Sequence, residues 1–310
     1  MINNNIKGTS EIYGVIGNPI HHTFSPAIHN TMAQFLNKDI AYIPLKVEQE
    51  DLSDAIKGAY ALNIKGLNIT VPHKVSVMQS LCKIDKAAEV IGAVNTLKYT
   101  PNGYEGYNTD VIGAYYAIKN DGYEIKDKTI LLLGAGGAAN ACAVMSAQHN
   151  CKKLYIANRT LEKAQLLAKR VMDNYDCDVD AISINDIDII PQCDIIINTT
   201  TMGFGDNIGI SPVKDINFYK NKNVKLVFDA IYAPWQTQLL ADAKDNGCHT
   251  INGFTMLVYQ AVAAEEIWFD EQYDNDFKEK LCVTLSKFYK EQNWYGTKYY
   301  SHRVHGMWQN

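Results

Sequence analysis

Short apolar segments alternate with amphipathic segments over most of the chain. Residues 11–17, 39–47 and 65–71 form apolar runs rich in the residues that favour strands. Between them, residues 27–36 and 48–62 carry apolar side chains at the three- and four-residue spacing of helices. Because strand and helix patterns take turns, we predict an α/β fold with a mainly parallel sheet in this part of the chain.

The same alternation continues beyond residue 90 and becomes more strongly apolar. The chain has 310 residues, which is too many for one compact core, so we expect two domains. A buried strand is predicted in the KTILLL run that starts at Lys128, just before a glycine-rich turn. Further strands are predicted at residues 91–97, 153–157, 194–198, 224–229 and 248–251, and further helices at 111–120, 253–268 and 275–293.

Composition narrows the class of protein. Apolar residues make up 47% of the chain and the net charge is −5 with no basic stripe, which argues against a nucleic-acid partner. The polar start lacks the apolar core of a signal peptide, and no run is long enough to span a membrane. The seven cysteines, an odd number without a C-x-x-C pair, indicate reduced thiols in the cytoplasm. The eight histidines show no metal-binding spacing, so we expect no metal.

The segment GLNITVPHK, residues 66–74, is the first candidate for chemistry. Pro72 after a strand predicts the start of a helix, which would place Lys74 in the first turn. A lysine there opposes the helix dipole, and residues that break a local rule often lie at functional sites. Asn68 and Thr70 alternate along the strand and would face one side, forming a polar pocket with the lysine. The alternative is a solvated surface lysine.

Four other positions carry polar side chains that admit two interpretations. Ser25, with Thr23 before it, caps a predicted helix or binds an anion at its N-terminus. Asp110 is an ordinary acid at a helix start or a site residue. Asn95 and Gln260 lie within apolar segments, so each serves a buried hydrogen bond or faces a ligand.

A glycine-rich turn follows the buried KTILLL strand. Gly134, Gly136 and Ala139 fit G-x-G-x-x-[GA] between a strand and a helix, which predicts a dinucleotide site. An NAD site would place an acid after the next strand, whereas this chain has Arg159 there, followed by Lys163. A guanidinium suits a 2′-phosphate, so these residues indicate NADP rather than NAD; the alternative is a solvated arginine. Loops 199–203 and 230–234 follow strands and should line the cofactor crevice.

Taken together, the motifs GNPI, SPAIHN, GLNITVPHK, GAVNT, GYNTD, GAGGAA, NRT, NTTTMG and GFTMLVYQA, in this order, resemble those of shikimate dehydrogenase. The resemblance extends from about Tyr13 to Trp268. It implies two α/β domains around a cleft: a substrate-binding domain of residues 1–109 plus 253–310 and a Rossmann NADP-binding domain of residues 110–252. It also implies the reversible reduction of 3-dehydroshikimate to shikimate with NADPH, in the chorismate and aromatic amino-acid pathway.

The resemblance assigns roles residue by residue. Lys74 and Asp110 match the catalytic pair. The substrate-binding positions that it implies are Thr23, Ser25, Asn68, Thr70, Asn95, Tyr232 and Gln260. The cofactor positions that it implies are Gly134, Ala135, Gly136, Gly137, Ala138, Ala139, Asn158, Arg159, Thr160, Lys163, Thr199, Thr200, Met202, Ala230 and Gly253.

Several alternatives remain open from the sequence. The family usually has serine where this chain has Thr23, and a change in this region could shift preference from shikimate towards quinate. A quinate/shikimate dehydrogenase with broader substrate or cofactor use is therefore one alternative. A second is a catalytically silent NADP-binding regulatory module, and a third is another Rossmann dehydrogenase. The segment 294–310 departs from the family pattern, and we expect its removal to leave the site intact. Both a monomer and a homodimer are compatible with the sequence.

Overall fold

In the computed structural model, which describes residues 6–21 and 23–291, the strands form two six-stranded sheets. The first sheet has the strand order β2-β1-β3-β5-β6-β4. Strands β2, β1 and β3 run parallel, β5 is antiparallel to β3 and β6, and β6 is parallel to β4. These strands are β1 (Glu11–Gly17), β2 (Ile40–Lys46), β3 (Gly66–Ile69), β4 (Lys83–Ile84), β5 (Thr96–Thr100) and β6 (Gly103–Tyr107).

The second sheet is parallel throughout, with the order β12-β11-β10-β7-β8-β9. The order reverses between β7 and β10, where the carboxyl ends of parallel strands leave a ligand crevice. The two-domain α/β fold class is confirmed. The strands are β7 (Thr129–Leu133), β8 (Lys153–Asn158), β9 (Val179–Ser183), β10 (Ile195–Asn198), β11 (Leu226–Asp229) and β12 (His249–Ile251).

Ten α-helices and three short 3-10 helices are present in residues 6–21 and 23–291. The 3-10 helices are Ser76–Ser80, Ile184–Ile189 and Gly205–Asn207. The α-helices are α1 (Ser25–Phe35), α2 (Leu52–Ala61), α3 (Lys86–Ile91), α4 (Asp110–Lys119), α5 (Gly137–Gln148), α6 (Leu161–Asn174), α7 (Phe218–Asn221), α8 (Gln238–Asp245), α9 (Phe254–Phe269) and α10 (Asn275–Glu291). None of the helices described is long and apolar enough to cross a membrane.

The central strand β7 shows why the second sheet is covered on both faces. Its side chains point alternately to opposite sides, and all are buried. Ile130 and Leu132 pack with residues of α4, α5 and α6, while Leu131 and Leu133 pack with α7 and α8. An unbroken apolar run, here from Ile130 to Leu133, is the pattern of a strand with helices on both faces.

Helices α4 and α9 connect the two sheets, because the chain enters the second sheet after α4 and leaves it before α9. Gly113 allows these helices to approach closely: a side chain there would lie 2.6 Å from the carbonyl oxygen of Met256. At the other end of α9, the Trp268 indole packs on Gly66 and donates a hydrogen bond of 2.9 Å to the carbonyl of Leu97. In the sequence, the second sheet is thus inserted between α4 and α9, after the strands of the first sheet.

The first sheet is mainly parallel, as predicted: of the six strands described, β5 alone runs against the others. Two other sequence expectations are corrected by the structure. Residues 91–97 are not one strand: α3 ends at Ile91, Gly92 takes a left-handed conformation with φ +68°, and β5 begins only at Thr96. The left-handed residue, which glycine adopts without strain, ends the helix and separates it from the strand.

The second correction concerns Lys74, which lies in a turn before the 3-10 helix Ser76–Ser80 rather than in the first turn of an α-helix. The carbonyl of Lys74 accepts a hydrogen bond of 2.8 Å from the backbone N–H of Val94. An α-helix would need that carbonyl for its own ladder, so the long-range hydrogen bond prevails over the local helix signal. Segment 294–310 and the end of the predicted helix 275–293 lie outside the described residues.

Candidate active site

A cavity of about 240 Å³ lies between the two halves of the molecule. Its walls come from β1, α1, β3 and the loops around it on one side, and from α4, α5, the loop after β11 and α9 on the other. The side chains and backbone that line it belong to Val15, Ser25, Asn68, Ile69, Thr70, Lys74, Asn95, Asp110, Ala138, Ala230, Tyr232, Gly253, Met256, Leu257 and Gln260.

Lys74 and Asp110 form an ion pair at this cavity. The Lys74 Nζ donates to Asp110 Oδ2 over 2.5 Å, and both side chains are largely buried, with 17% and 7% of their surface exposed. Asp110 is the first residue of α4, where a carboxylate interacts favourably with the helix dipole. Its backbone N–H donates to Asn108 Oδ1 over 3.0 Å. Asn108 thus fixes the start of α4, from which the Asp110 carboxylate holds the lysine ammonium in one place.

Asn95 fixes the other oxygen of the same carboxylate. Its Nδ2 donates to Asp110 Oδ1 over 2.9 Å and to Thr109 Oγ1 over 3.0 Å. Its Oδ1 accepts from the Thr109 backbone N–H over 2.8 Å and from Thr96 Oγ1 over 2.9 Å. Asn95 therefore makes buried hydrogen bonds and at the same time lines the cavity, so the two interpretations do not exclude each other.

The other predicted substrate residues surround the ion pair, with one exception. Ser25, Asn68, Thr70, Tyr232 and Gln260 line the cavity together with Asn95. Thr23 does not line it. Its Oγ1 donates to Ser25 Oγ over 3.1 Å and accepts from the Ser25 backbone N–H over 3.3 Å. Thr23 therefore acts on the cavity through Ser25.

The glycine turn has the backbone shape of a phosphate-binding turn. Gly134 has φ +112°, and a side chain there would lie 2.6 Å from Thr199 Oγ1. Gly136 has open space where a side chain would be, and α5 begins at the next residue. A helix N-terminus without side chains in front of it presents free N–H groups to an anion. The side chain of Lys74 lies against this turn, since a Cβ at Gly137 would be 3.4 Å from the lysine Cδ.

Cationic side chains follow the next strand. Arg159 comes directly after β8, and Lys163 lies in the first turn of α6. Both are exposed, and neither pairs with a carboxylate among residues 6–21 and 23–291. Asn158 Nδ2 donates to the carbonyl of Thr160 over 2.9 Å and so closes the turn between them. The two charges remain available for an anionic group.

The loops after β10 and β11 are tied together by a buried carboxylate. Asp229 accepts hydrogen bonds from Thr237 Oγ1 over 2.6 Å, Asn198 Nδ2 over 3.0 Å and the Ile231 backbone N–H over 3.1 Å. Burial raises the pKa of Asp229 to about 6, although these hydrogen bonds oppose the rise. In the same region Thr199 Oγ1 donates to the Leu133 carbonyl over 2.8 Å, so the loop edges are fixed from both sides.

The structure also adds lining residues that the sequence interpretation did not include. Met256 and Leu257 lie three and four residues after Gly253, and Gln260 follows three residues later, so all four share one face of α9. This spacing was the signal that could have identified them. The Gln260 Nε2 donates to the Leu257 carbonyl over 2.8 Å, which fixes its amide at the cavity edge.

Comparison with known proteins gives consistent results for both halves of the chain. The family model described as the shikimate dehydrogenase substrate binding domain matches residues 15–97, and the model described as shikimate / quinate 5-dehydrogenase matches residues 117–229. The chain is 40% identical over 272 residues to the shikimate dehydrogenase (NADP(+)) of Caldanaerobacter subterraneus subsp. tengcongensis. The aligned residues make up 88% of this chain and 96% of the relative.

Two further proteins extend the comparison. The shikimate dehydrogenase (NADP(+)) of Methanococcus aeolicus is 41% identical over 280 residues, or 90% of this chain and 99% of the relative. The crystal structure of shikimate 5-dehydrogenase from Listeria monocytogenes in complex with shikimate and NAD is similar with a TM-score of 0.82 at 30% identity. That similarity covers 89% of this chain and 98% of the other.

Proposed function

The chain belongs to the shikimate dehydrogenase family, and from this membership we propose that it reversibly reduces 3-dehydroshikimate to shikimate with NADPH. The product would feed chorismate and aromatic amino-acid biosynthesis. The observation that carries the proposal is the Lys74–Asp110 ion pair, which lines the cavity and also contacts the glycine turn before α5. One charged pair thus lies between a polar pocket and a phosphate-type turn.

The residues of the second sheet fit NADP(H). The turn at Gly134 and Gly136 leaves room for a pyrophosphate at the start of α5, and the exposed Arg159 and Lys163 suit the 2′-phosphate. When bound, NADPH supplies the hydride for reduction of the ketone carbon. The backbone of Thr199, Thr200, Met202, Ala230 and Gly253 follows the strand ends beside this turn and would hold the nicotinamide end.

Lys74 is the proton donor in this proposal. Reduction of a ketone leaves an alkoxide oxygen, and the lysine ammonium can stabilise that charge and then protonate it. Asp110 holds the ammonium at 2.5 Å and limits it to one position, while Asn95 keeps the carboxylate from rotating. In the reverse direction the neutral amine removes the hydroxyl proton from shikimate.

The remaining lining residues would hold the substrate. We propose that Asn68, Thr70, Asn95 and Gln260 bind the ring hydroxyls and that Ser25, oriented by Thr23, binds the carboxylate. Tyr232 lies on the loop after β11, on the side of the cavity nearest the second sheet, where it would contact both substrate and nicotinamide. These roles rest on the shared cavity and on the match to the family motifs.

The domain assignment follows the same division. We propose that residues 1–109 plus 253–310 bind the substrate and that residues 110–252 bind the cofactor, since the first family model matches only within the first segment. We also propose that the enzyme acts in the cytoplasm, where its seven free thiols would stay reduced. For the assembly we propose a monomer or a homodimer, both of which the sequence leaves open.

A spectrophotometric assay at about 340 nm tests the proposal directly. Purified protein would be given shikimate or quinate, each with NADP or NAD, and kcat/KM would be compared. We expect the highest value for shikimate with NADP. A higher value for quinate would show that Thr23 and Ser25 select the other substrate, and a higher value for NAD would contradict the role of Arg159. Folded protein that binds NADPH but turns over neither substrate would favour the silent regulatory module.

A further inference from the structure

The amide of Asn68 has a fixed orientation at the cavity. Its two Nδ2 hydrogens point to the carbonyl of Asn95 over 3.3 Å and to Thr96 Oγ1 over 3.2 Å. Its Oδ1 accepts a hydrogen bond of 2.7 Å from the phenol of Tyr42. Because a carbonyl oxygen has two acceptor sites, Asn68 can still accept a second hydrogen bond but has no donor left for a ligand.

Tyr42 is held in place by α1. The Asn30 side chain binds the Tyr42 backbone twice, since its Nδ2 donates to the carbonyl and its Oδ1 accepts from the N–H, both over 3.0 Å. The neighbouring His29 stacks on the Tyr42 ring with centroids 4.1 Å apart and planes only 11° apart. Two adjacent helix residues thus fix both the backbone and the ring plane of the tyrosine.

The His29 ring is fixed in turn by α9. His29 Nδ1 lies 2.9 Å from Glu265 Oε1, and both side chains have 0% of their surface exposed. His29 Nε2 and Glu265 Oε2 have no hydrogen-bond partner among the residues that the structure describes. A buried polar pair with unpartnered atoms is less favourable than an apolar pair of similar shape. We take the pair as a positioning contact between α1 and α9 rather than as a source of stability.

We propose that Glu265, His29 and Tyr42 form a positioning chain that makes Asn68 an obligatory hydrogen-bond acceptor for a substrate hydroxyl. This inference rests on the proposed function and adds a specificity device to it. The chain connects α9, which carries Gln260, to α1, which carries Ser25, and then to β3, which carries Asn68. A substrate with a hydroxyl opposite Asn68 would be favoured over one with a carbonyl or ether oxygen there, because two acceptors repel.

Tyr42→Phe is the direct test, since it keeps the stacked ring and removes the phenol, which donates to Asn68 and also contacts Ser25. We expect the KM for shikimate to rise about three- to tenfold while kcat and the KM for NADP stay within about twofold of wild type. Calorimetric titration with shikimate should show the same weakening without turnover. Tyr104→Phe is the matched control, because Tyr104 is also buried in the first sheet and loses a 2.7 Å hydrogen bond, to the Ile64 carbonyl, away from the cavity.

Glu265→Gln is the second variant, because it preserves shape and a hydrogen bond to His29. We expect a smaller rise in the KM for shikimate than in Tyr42→Phe, with kcat unchanged. Equal KM values for wild type and Tyr42→Phe, or equal changes in Tyr42→Phe and Tyr104→Phe, would overturn the positioning chain alone. A wild-type protein that neither binds nor oxidises shikimate would overturn the proposed function and this inference together.

Discussion

At the scale of single residues, the Lys74 ammonium is the group on which the proposed chemistry depends most. Lys74→Met keeps a side chain of similar length but removes the charge and the proton. We expect kcat to fall about 100- to 10,000-fold with shikimate binding retained, as for loss of a general acid. Steady-state kinetics and calorimetric binding of shikimate would measure the two effects separately.

The control for that experiment is Lys57→Met. Lys57 is exposed on α2 and pairs with Asp54, 3.2 Å away, so its loss should leave turnover unchanged. Unaltered turnover in Lys74→Met, with binding intact, would contradict the assignment of Lys74 as proton donor.

A second residue, Asp229, makes stability depend on pH in an unusual direction. Its pKa is raised from 3.8 to about 6 by burial, so between these values the folded protein binds more protons than the unfolded chain. This contribution to stability is greatest below about pH 4 and is lost as pH rises towards 6, by about 3 kcal/mol. Urea unfolding of wild type and Asp229→Asn across this range would measure it.

In Asp229→Asn the amide does not titrate, so the difference in unfolding free energy between variant and wild type should change with pH in that window. The exposed Asp173, on α6, provides the control in Asp173→Asn. If the difference between wild type and Asp229→Asn is flat from pH 4 to 6, Asp229 is not the titrating group.

At the scale of elements, we expect the turn between β8 and α6 to determine the choice of cofactor. Arg159→Gln removes a guanidinium that would bind the 2′-phosphate, so we expect the KM for NADP to rise about 10- to 100-fold and that for NAD to stay nearly constant. The exposed Lys169, farther along α6, gives the control Lys169→Gln. A parallel rise of both KM values in Arg159→Gln would show that Arg159 supports the turn and not the phosphate.

The elements also show which parts of the fold the sequence could predict. Strands built mainly of consecutive apolar residues, such as β7 and β10, were predicted correctly because local pattern and burial agree there. The interval 91–97 misled because its apolar residues are buried in a loop behind Gly92, and burial alone does not distinguish a loop from a strand. The α-helix expected to start at Pro72 does not form, because the Lys74 carbonyl accepts a hydrogen bond from the N–H of Val94, which is distant in the sequence.

The residues of the candidate site were likewise only partly predictable from the sequence. Lys74, Asn68 and Thr70 were predicted from a short local motif that combined a strand with an irregular charge. Tyr42 and Glu265 were not predicted, because each looks like an ordinary member of its own element. Their role depends on a contact between α1 and α9, and His29 and Glu265 are 236 positions apart in the sequence, which leaves no local signal.

At the scale of the whole molecule, we expect residues 294–310 and helix α10 to differ in their effect on activity. Deletion of residues 294–310 is expected to leave kcat/KM for shikimate within about twofold of wild type, because the site is built by residues before α10.

The substitution Tyr289→Ala should lower kcat/KM for shikimate, since the Tyr289 phenol, on α10, donates to the carbonyl of Tyr232 over 3.3 Å. Circular dichroism would establish that both proteins are folded before kinetics are measured. A folded truncation without turnover would contradict the first expectation.

The insertion of the second sheet into the segments that build the first half determines an order of events during translation. All strands of the second sheet lie between Thr129 and Ile251, so they can pair once that stretch has left the ribosome. The first sheet is synthesised earlier, yet the indole of Trp268 that covers Tyr13 arrives about 160 residues after β6. At about 5–20 residues per second, the nascent chain exposes this apolar face for roughly 10 to 30 seconds. Until Trp268 arrives, we expect this uncovered apolar face to make the nascent chain prone to aggregation.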